Sequence, residues 1–114
     1  METYSGMTSS LTDFDLCASV LAVLAEPRRL QIVTRLSCAP CVVSQLADEL
    51  GLPIVRVSQH LKVLRNANLV RSVKQGKFVT YSLPPDLVKD GVIDLDCCRL
   101  SIPNFESTEP PHLP

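Results

Sequence analysis

Apolar positions along the first two thirds of the chain recur at helical spacing. Phe14, Cys17, Val20, Leu21 and Leu24 predict a first helix from about Thr12, with Ser10 or Thr12 as its N-cap. A second helix begins near Pro27, whose fixed backbone angle suits a first helical turn. Leu30, Ile32, Val33 and Leu36 give that helix a buried face, and a break at Ser37–Cys41 containing Pro40 ends it. A third helix over 42–50 carries Val43, Leu46, Ala47 and Leu50 on one side and stops at Gly51, the residue best suited to a left-handed cap. Pro53 opens a fourth, with Ile54, Val57, Leu61 and Leu64 on one face. Asn66 and Asn68 end it, asparagine being the common substitute for glycine at such a cap. Two short helices joined by Gly51-Leu52 have the proportions of a helix-turn-helix.

The period then changes. Leu69–Val73 and Phe78–Leu83 favour strands, and the connection Lys74-Gln75-Gly76-Lys77 makes them a hairpin. A hairpin directly after a helix-turn-helix is a wing. The expected fold is mainly α with a small β-hairpin, a winged helix-turn-helix over 12–83. Residues 1–11 read as a disordered N-terminus and 103–114, rich in proline, as a disordered tail. Between them, 84–102 form a C-terminal extension. Asp86–Asp90 could make one helical turn, and Val92–Ile102 read as extended.

Composition adds two constraints. With 114 residues and 46% hydrophobic content, the chain supports one aliphatic core. No apolar run approaches a membrane span, and the first eleven residues hold Glu2 but no Lys or Arg. A cytoplasmic protein with no membrane partner is therefore expected.

Charge changes the picture more. The formal net charge is only −1, yet no acid occurs between Glu49 and Asp86. Arg56, Lys62, Arg65, Arg71, Lys74 and Lys77 all lie in that window. The fourth helix buries its apolar positions, so Arg56, Ser58, Gln59, Lys62 and Arg65 face away, with His60 between. Gln can bond adenine bidentately, Ser and His can bond base edges or phosphates, and Arg favours guanine or phosphate. Lys62 and Arg65 suit the phosphate backbone. Lys74, Gln75 and Lys77 surround the hairpin tip, where a wing meets DNA. A merely solvated face is the plain alternative, and the acid-free window, the Gly51 turn and the basic hairpin together weigh against it.

The chain resembles the ArsR/SmtB family of winged-helix repressors over roughly Leu21 to Leu83. The resemblance rests on Leu24-Ala25-Glu26-Pro27-Arg28-Arg29-Leu30-Gln31-Ile32 and, above all, Ser58-Gln59-His60-Leu61-Lys62-Val63-Leu64-Arg65. Ala67-Asn68-Leu69-Val70 and Gln75-Gly76-Lys77-Phe78-Val79-Thr80-Tyr81-Ser82-Leu83 extend it. It implies a homodimer on an imperfect palindrome of double-stranded operator DNA, released when an effector binds. Ser58, Gln59 and His60 would then be the central recognition residues. Three departures stand out. Val42, Val43 and Ser44 replace the Cys-Val-Cys of members that sense metal through the third helix. The acid-and-histidine zinc site of other members has only Asp here, its sole late histidine being His112. The long last helix that completes the family's dimer interface is not evident.

Five cysteines without an export signal read as metal binding, thiol chemistry or packing, not as a disulfide framework. Adjacent thiolates at Cys97 and Cys98 can reach one soft ion, and soft metals and arsenite favour sulfur. One branch of the resembled family senses arsenite with such a pair plus a later third cysteine. None follows Cys98, so Cys17 is the candidate third ligand, the first helix and the tail being expected to meet at the dimer interface. No cofactor is required; arsenite, cadmium or lead is the expected effector. Alternatively one of the pair packs inward as a small hydrophobe, and Cys17 is core. Cys38-Ala39-Pro40-Cys41 precedes a helix whose N-terminus could activate Cys41. It remains open as structural, redox-sensing or metal-binding. Four readings follow. The leading one is a repressor released by a thiophilic effector. Its rivals are a repressor sensing oxidation through Cys38/Cys41 or Cys97/Cys98, a small thiol oxidoreductase, and a winged domain binding only protein. His60 has no relay partner or metal-ligand spacing, and no enzymatic activity is expected.

Overall fold

A computed structural model describes residues 8–102, with side chains from Phe14 onward. The chain runs through α1 (Thr8–Leu24), α2 (Pro27–Leu36), β1 (Cys41–Val42), α3 (Val43–Leu50) and α4 (Ile54–Asn66). It continues through β2 (Arg71–Gln75), β3 (Phe78–Ser82), β4 (Val88–Lys89), β5 (Val92–Asp94) and β6 (Arg99–Ser101).

Local chemistry explains the boundaries. The Glu26 carboxylate accepts hydrogen bonds from the Arg28 and Arg29 amides at 2.7 and 3.1 Å, capping α2 ahead of Pro27. Helices α3 and α4 end in the same way. Gly51 takes φ +67°, its amide reaches back to Asp48, and the Leu52 amide donates to the Ala47 carbonyl at 3.0 Å. At the end of α4, Asn68 takes φ +62°, its amide donates to Arg65, and the Leu69 amide donates to Leu64 at 2.9 Å. Both are Schellman ends, in which a left-handed residue lets two amides satisfy the last carbonyls.

The core is one cluster. Ile32 and Val33 of α2, Leu46 of α3, and Val57, Leu61 and Leu64 of α4 are all completely buried. Leu24 closes the cluster from α1, with Val20 and Val23 packed against it. The first sheet has the order β1-β3-β2, all antiparallel, with Cys41 opposite Tyr81 and Gln75 opposite Phe78. Only Gly76 and Lys77 connect β2 to β3, and Gly76 supplies the positive φ (+63°) that so tight a hairpin needs. This is a winged helix-turn-helix.

Several expectations need correction. Helix α1 begins at Thr8, so Ser10 and Thr12 lie inside it rather than capping it, and part of the stretch 1–11 is helical. Residues 1–7 and the tail 103–114, including His112, lie outside the described residues. Cys41 and Val42 form a strand edge that the sequence pattern concealed, because two residues carry no period. The turn at 86–90 is not helical: Leu87 bonds back to the Pro84 carbonyl, and Val88–Lys89 then pair with β5. The extended reading of 92–102 resolves into two paired strands in a second sheet, β4-β5-β6. Ile93, fully buried, anchors that sheet to the main core. No helix among the described residues is long and apolar enough to cross a membrane.

Nothing lies within 4 Å of where a Cβ would stand on Gly51. Gly51→Ala therefore carries only the backbone cost of a left-handed alanine. Urea unfolding should show a loss of about 1 kcal/mol with an unchanged m-value.

Candidate nucleic-acid interface and cysteine cluster

Burial of Val57, Leu61 and Leu64 turns the opposite side of α4 to solvent. Arg56, Ser58, Gln59, Lys62 and Arg65 are all exposed there. At the wing, Lys74, Gln75 and Lys77 are exposed as well. The Arg65 guanidinium donates to the Ser72 hydroxyl at 3.3 Å, joining the end of α4 to β2. Arg65 thus braces the wing, a role its sequence position did not suggest.

His60 differs from its neighbours. It is half-buried, and its Nδ1 accepts a 3.3 Å hydrogen bond from Arg29 Nε. Arg29 also donates to the Val23 carbonyl at 2.9 Å, so one guanidinium ties α4 to the end of α1. Burial pushes the nearby Glu26 carboxyl up, but the Arg29 and Arg28 amides and the charge of Arg29 outweigh it and hold it below its usual range. His60 is therefore a link between helices, with less freedom to read bases than Ser58 or Gln59. The sequence hid this, because Arg29 is 31 residues away. Exposed apolar side chains on the same elements were also missed: Val55 in the first turn of α4, and Val73 and Phe78 on the wing.

The second cluster joins α1 to the loop between β5 and β6. The sulfurs of Cys17, Cys97 and Cys98 all lie within 4.8 Å of one another. Cys17 and Cys97 form a disulfide, across 80 residues, and Cys98 is a half-buried thiol beside it. This bond overturns the expectation of thiols throughout, and it pairs Cys97 with Cys17 instead of with Cys98. It also places Cys17 and the tail together within one chain, without a dimer interface.

Cys38 and Cys41 are not joined by a disulfide, and their surroundings differ. Cys38 is exposed, its sulfur 3.9 Å from the Thr34 carbonyl oxygen. Cys41 is buried in β1, and its sulfur approaches the Val42 carbonyl oxygen at 3.5 Å. Burial pushes the Cys41 thiol up, Glu49 adds to that, and nearby Arg35 offsets it only in part. That direction is opposite to the lowering expected from a helix N-terminus. Arg35 is already committed to Glu49, whose carboxylate it holds below the usual range. Nor does β1 supply an oxidoreductase frame, since it pairs antiparallel with β3.

A family profile described as "Bacterial regulatory protein, arsR family" matches residues 26–72, which run from the α2 cap into the wing. Reduced HlyU from Vibrio cholerae N16961 is 31% identical, with a TM-score of 0.63 over 68% of this chain and 82% of that one. The chain belongs to the ArsR/SmtB family. Another solved relative is a homodimeric winged helix-turn-helix DNA-binding domain from Mycobacterium bovis, 29% identical, TM-score 0.63, covering 73% of this chain and 75% of that one. The regulator NmtR of Mycobacterium tuberculosis is 44% identical over 66 residues, 58% of this chain. This chain spans just over half of NmtR, 55% of its length. The family consists of DNA-binding transcriptional regulators, not enzymes, so the oxidoreductase reading falls away.

The difference between the two thiols is measurable. In native, reduced protein at neutral pH, iodoacetamide should label Cys38 at least tenfold faster than Cys41, and peptide mass mapping would read the ratio. Equal rates would mean that β1 does not protect Cys41.

Proposed function

We propose that the protein is a cytoplasmic, homodimeric repressor that binds palindromic operator DNA and leaves it when a thiophilic effector binds Cys17, Cys97 and Cys98. The observation that carries DNA binding is the exposed polar face of α4 beside a basic wing, in a stretch without acids. Ser58 and Gln59 read bases. Arg56, Lys62, Lys74, Gln75 and Lys77 hold the backbone. Arg65 and His60 keep α4 fixed to the wing and to α2. Exposed Phe14 and Leu16 on α1 offer an apolar surface for a second copy.

Effector binding is supported by the donor set. Ion–sulfur bonds of about 2.3 Å leave three evenly spread ligating sulfurs at most about 4.0 Å apart. The observed 4.8 Å spread needs only a small side-chain adjustment once Cys17–Cys97 is reduced. Three thiolates suit arsenite, cadmium or lead. A ligand there ties α1 to the C-terminal sheet, and so biases the spacing of the two α4 helices in a dimer.

A second reading is favoured by the disulfide itself. In it the repressor responds to oxidation of Cys17 and Cys97, and Cys38 and Cys41 take no part.

Anisotropy titrations on a DNA sequence selected from a random pool test the interface. Affinity should fall steeply with salt, and Lys77→Ala should lower the slope of log K against log salt by about one. Gln59→Ala should cost roughly 1–3 kcal/mol on the selected site and little on other DNA. Absence of DNA binding would overturn the regulator.

Sulfur-to-ligand absorbance on adding arsenite or cadmium to phosphine-reduced protein tests the effector site. Cys17→Ser, Cys97→Ser and Cys98→Ser should each weaken arsenite binding more than tenfold. Full response in all three variants would exclude this cluster. DNA release by oxidant alone, without effector, would favour the second reading.

A further inference from the structure

Val55, in the first turn of α4, is 68% exposed, more than any other large hydrophobic side chain among the described residues. A single exposed apolar side chain is ordinary on a protein surface, so its position has to decide what it does. With about 100° between successive helical residues, Val57, Leu61 and Leu64 set one buried direction. Gln59 then lies within about 15°, and Val55 within about 30°, of the direction opposite to it. Ile54, at about 50° from the buried direction, flanks the core side, whereas Val55 stands in the middle of the outward face. Helix formation gives no reason for valine there, since a β-branched residue lowers helix propensity. We infer that Val55 is a specificity-determining residue that packs against the C5-methyl group of thymine in the major groove, beside the base met by Gln59. This rests on the DNA-binding reading of α4 and adds a base group to it, outside the Ser58-Gln59-His60 stretch to which the family resemblance assigns recognition.

The chemistry of the groove supports the assignment. The first residues of a recognition helix are the ones that meet base edges. A valine side chain can neither donate nor accept a hydrogen bond, so it cannot read the polar edges of guanine, cytosine or adenine. Thymine alone carries a methyl group on its major-groove edge. When the two apolar groups meet, both lose water, and covering one methyl is worth about fourfold in affinity. Val55 and Gln59 are four residues apart, about 6 Å along the helix axis, which spans one or two base steps of about 3.4 Å. Gln59 suits adenine. The pair therefore selects a half-site in which a thymine stands within one or two base pairs of an adenine that Gln59 bonds.

The test uses the full chain and the DNA site selected from a random pool. Each thymine of the site is replaced in turn by deoxyuridine, which lacks only the methyl group, and affinities are read by anisotropy. Wild-type protein should weaken about fourfold at one or two thymines in each half-site. Val55→Ala, which favours the helix and removes no buried group, should lose less than about 1.5-fold at those same positions, having already lost the contact. Val73→Ala truncates an exposed valine on the wing and should keep the full wild-type penalty. A selected half-site without thymine, a wild-type protein indifferent to every methyl, or a penalty that survives Val55→Ala or disappears equally in Val73→Ala would overturn the inference while leaving DNA binding standing. Failure of the wild-type protein to bind any selected DNA would instead overturn the DNA-binding reading.

Discussion

Three side chains on one helix face, Val57, Leu61 and Leu64, are removed entirely from water, and the rest of the molecule is organised around them. Their burial against Ile32, Val33 and Leu46 fixes the rotation of α4 about its own axis. With that rotation set, Arg56, Ser58, Gln59 and Lys62 have no direction available but outward. A polar side chain on the buried face would need a partner there or cost several kcal/mol. The same apolar contact that stabilises the domain therefore selects which residues stand on the proposed DNA surface.

Rotation alone does not aim a helix. Its two ends are set by left-handed residues at Gly51 and Asn68, which turn the chain sharply from α3 into α4 and from α4 into the wing. Side-chain ties complete the frame. Arg29 bonds His60 and Val23 from one side, and Arg65 bonds Ser72 from the other. These contacts leave Ser58 and Gln59 as the free polar groups nearest the middle of the exposed face. They also commit Arg29, His60 and Arg65 to partners within the chain.

The C-terminal third departs from the family pattern that the sequence suggested. In place of a long last helix, a three-stranded sheet packs through Ile93 onto the core. Its β5–β6 loop brings Cys97 and Cys98 to Cys17 on α1. The Cys17–Cys97 disulfide and the soft-ligand site proposed above use the same sulfurs, so only one of the two can exist at a time. The disulfide ties α1, which bears the exposed Phe14 and Leu16, to the C-terminal sheet.

By itself, the sequence determined the helical periods, the caps at Gly51 and Asn68, the two-strand wing and the polar face of α4. Each is written in residues within about one or two turns of one another, where spacing and backbone preference suffice. It also singled out Cys97, Cys98 and Cys17 as chemistry in search of a site. What it could not decide were contacts between distant segments: the Arg29–His60 bond, the β1 edge on β3, the burial of Cys41, and the closure of Cys17 on Cys97. Such pairings carry no local period, because they depend on where the core brings separate stretches of chain together. Tertiary packing made three scattered cysteines into one cluster, and turned a suspected reactive thiol at position 41 into a buried one.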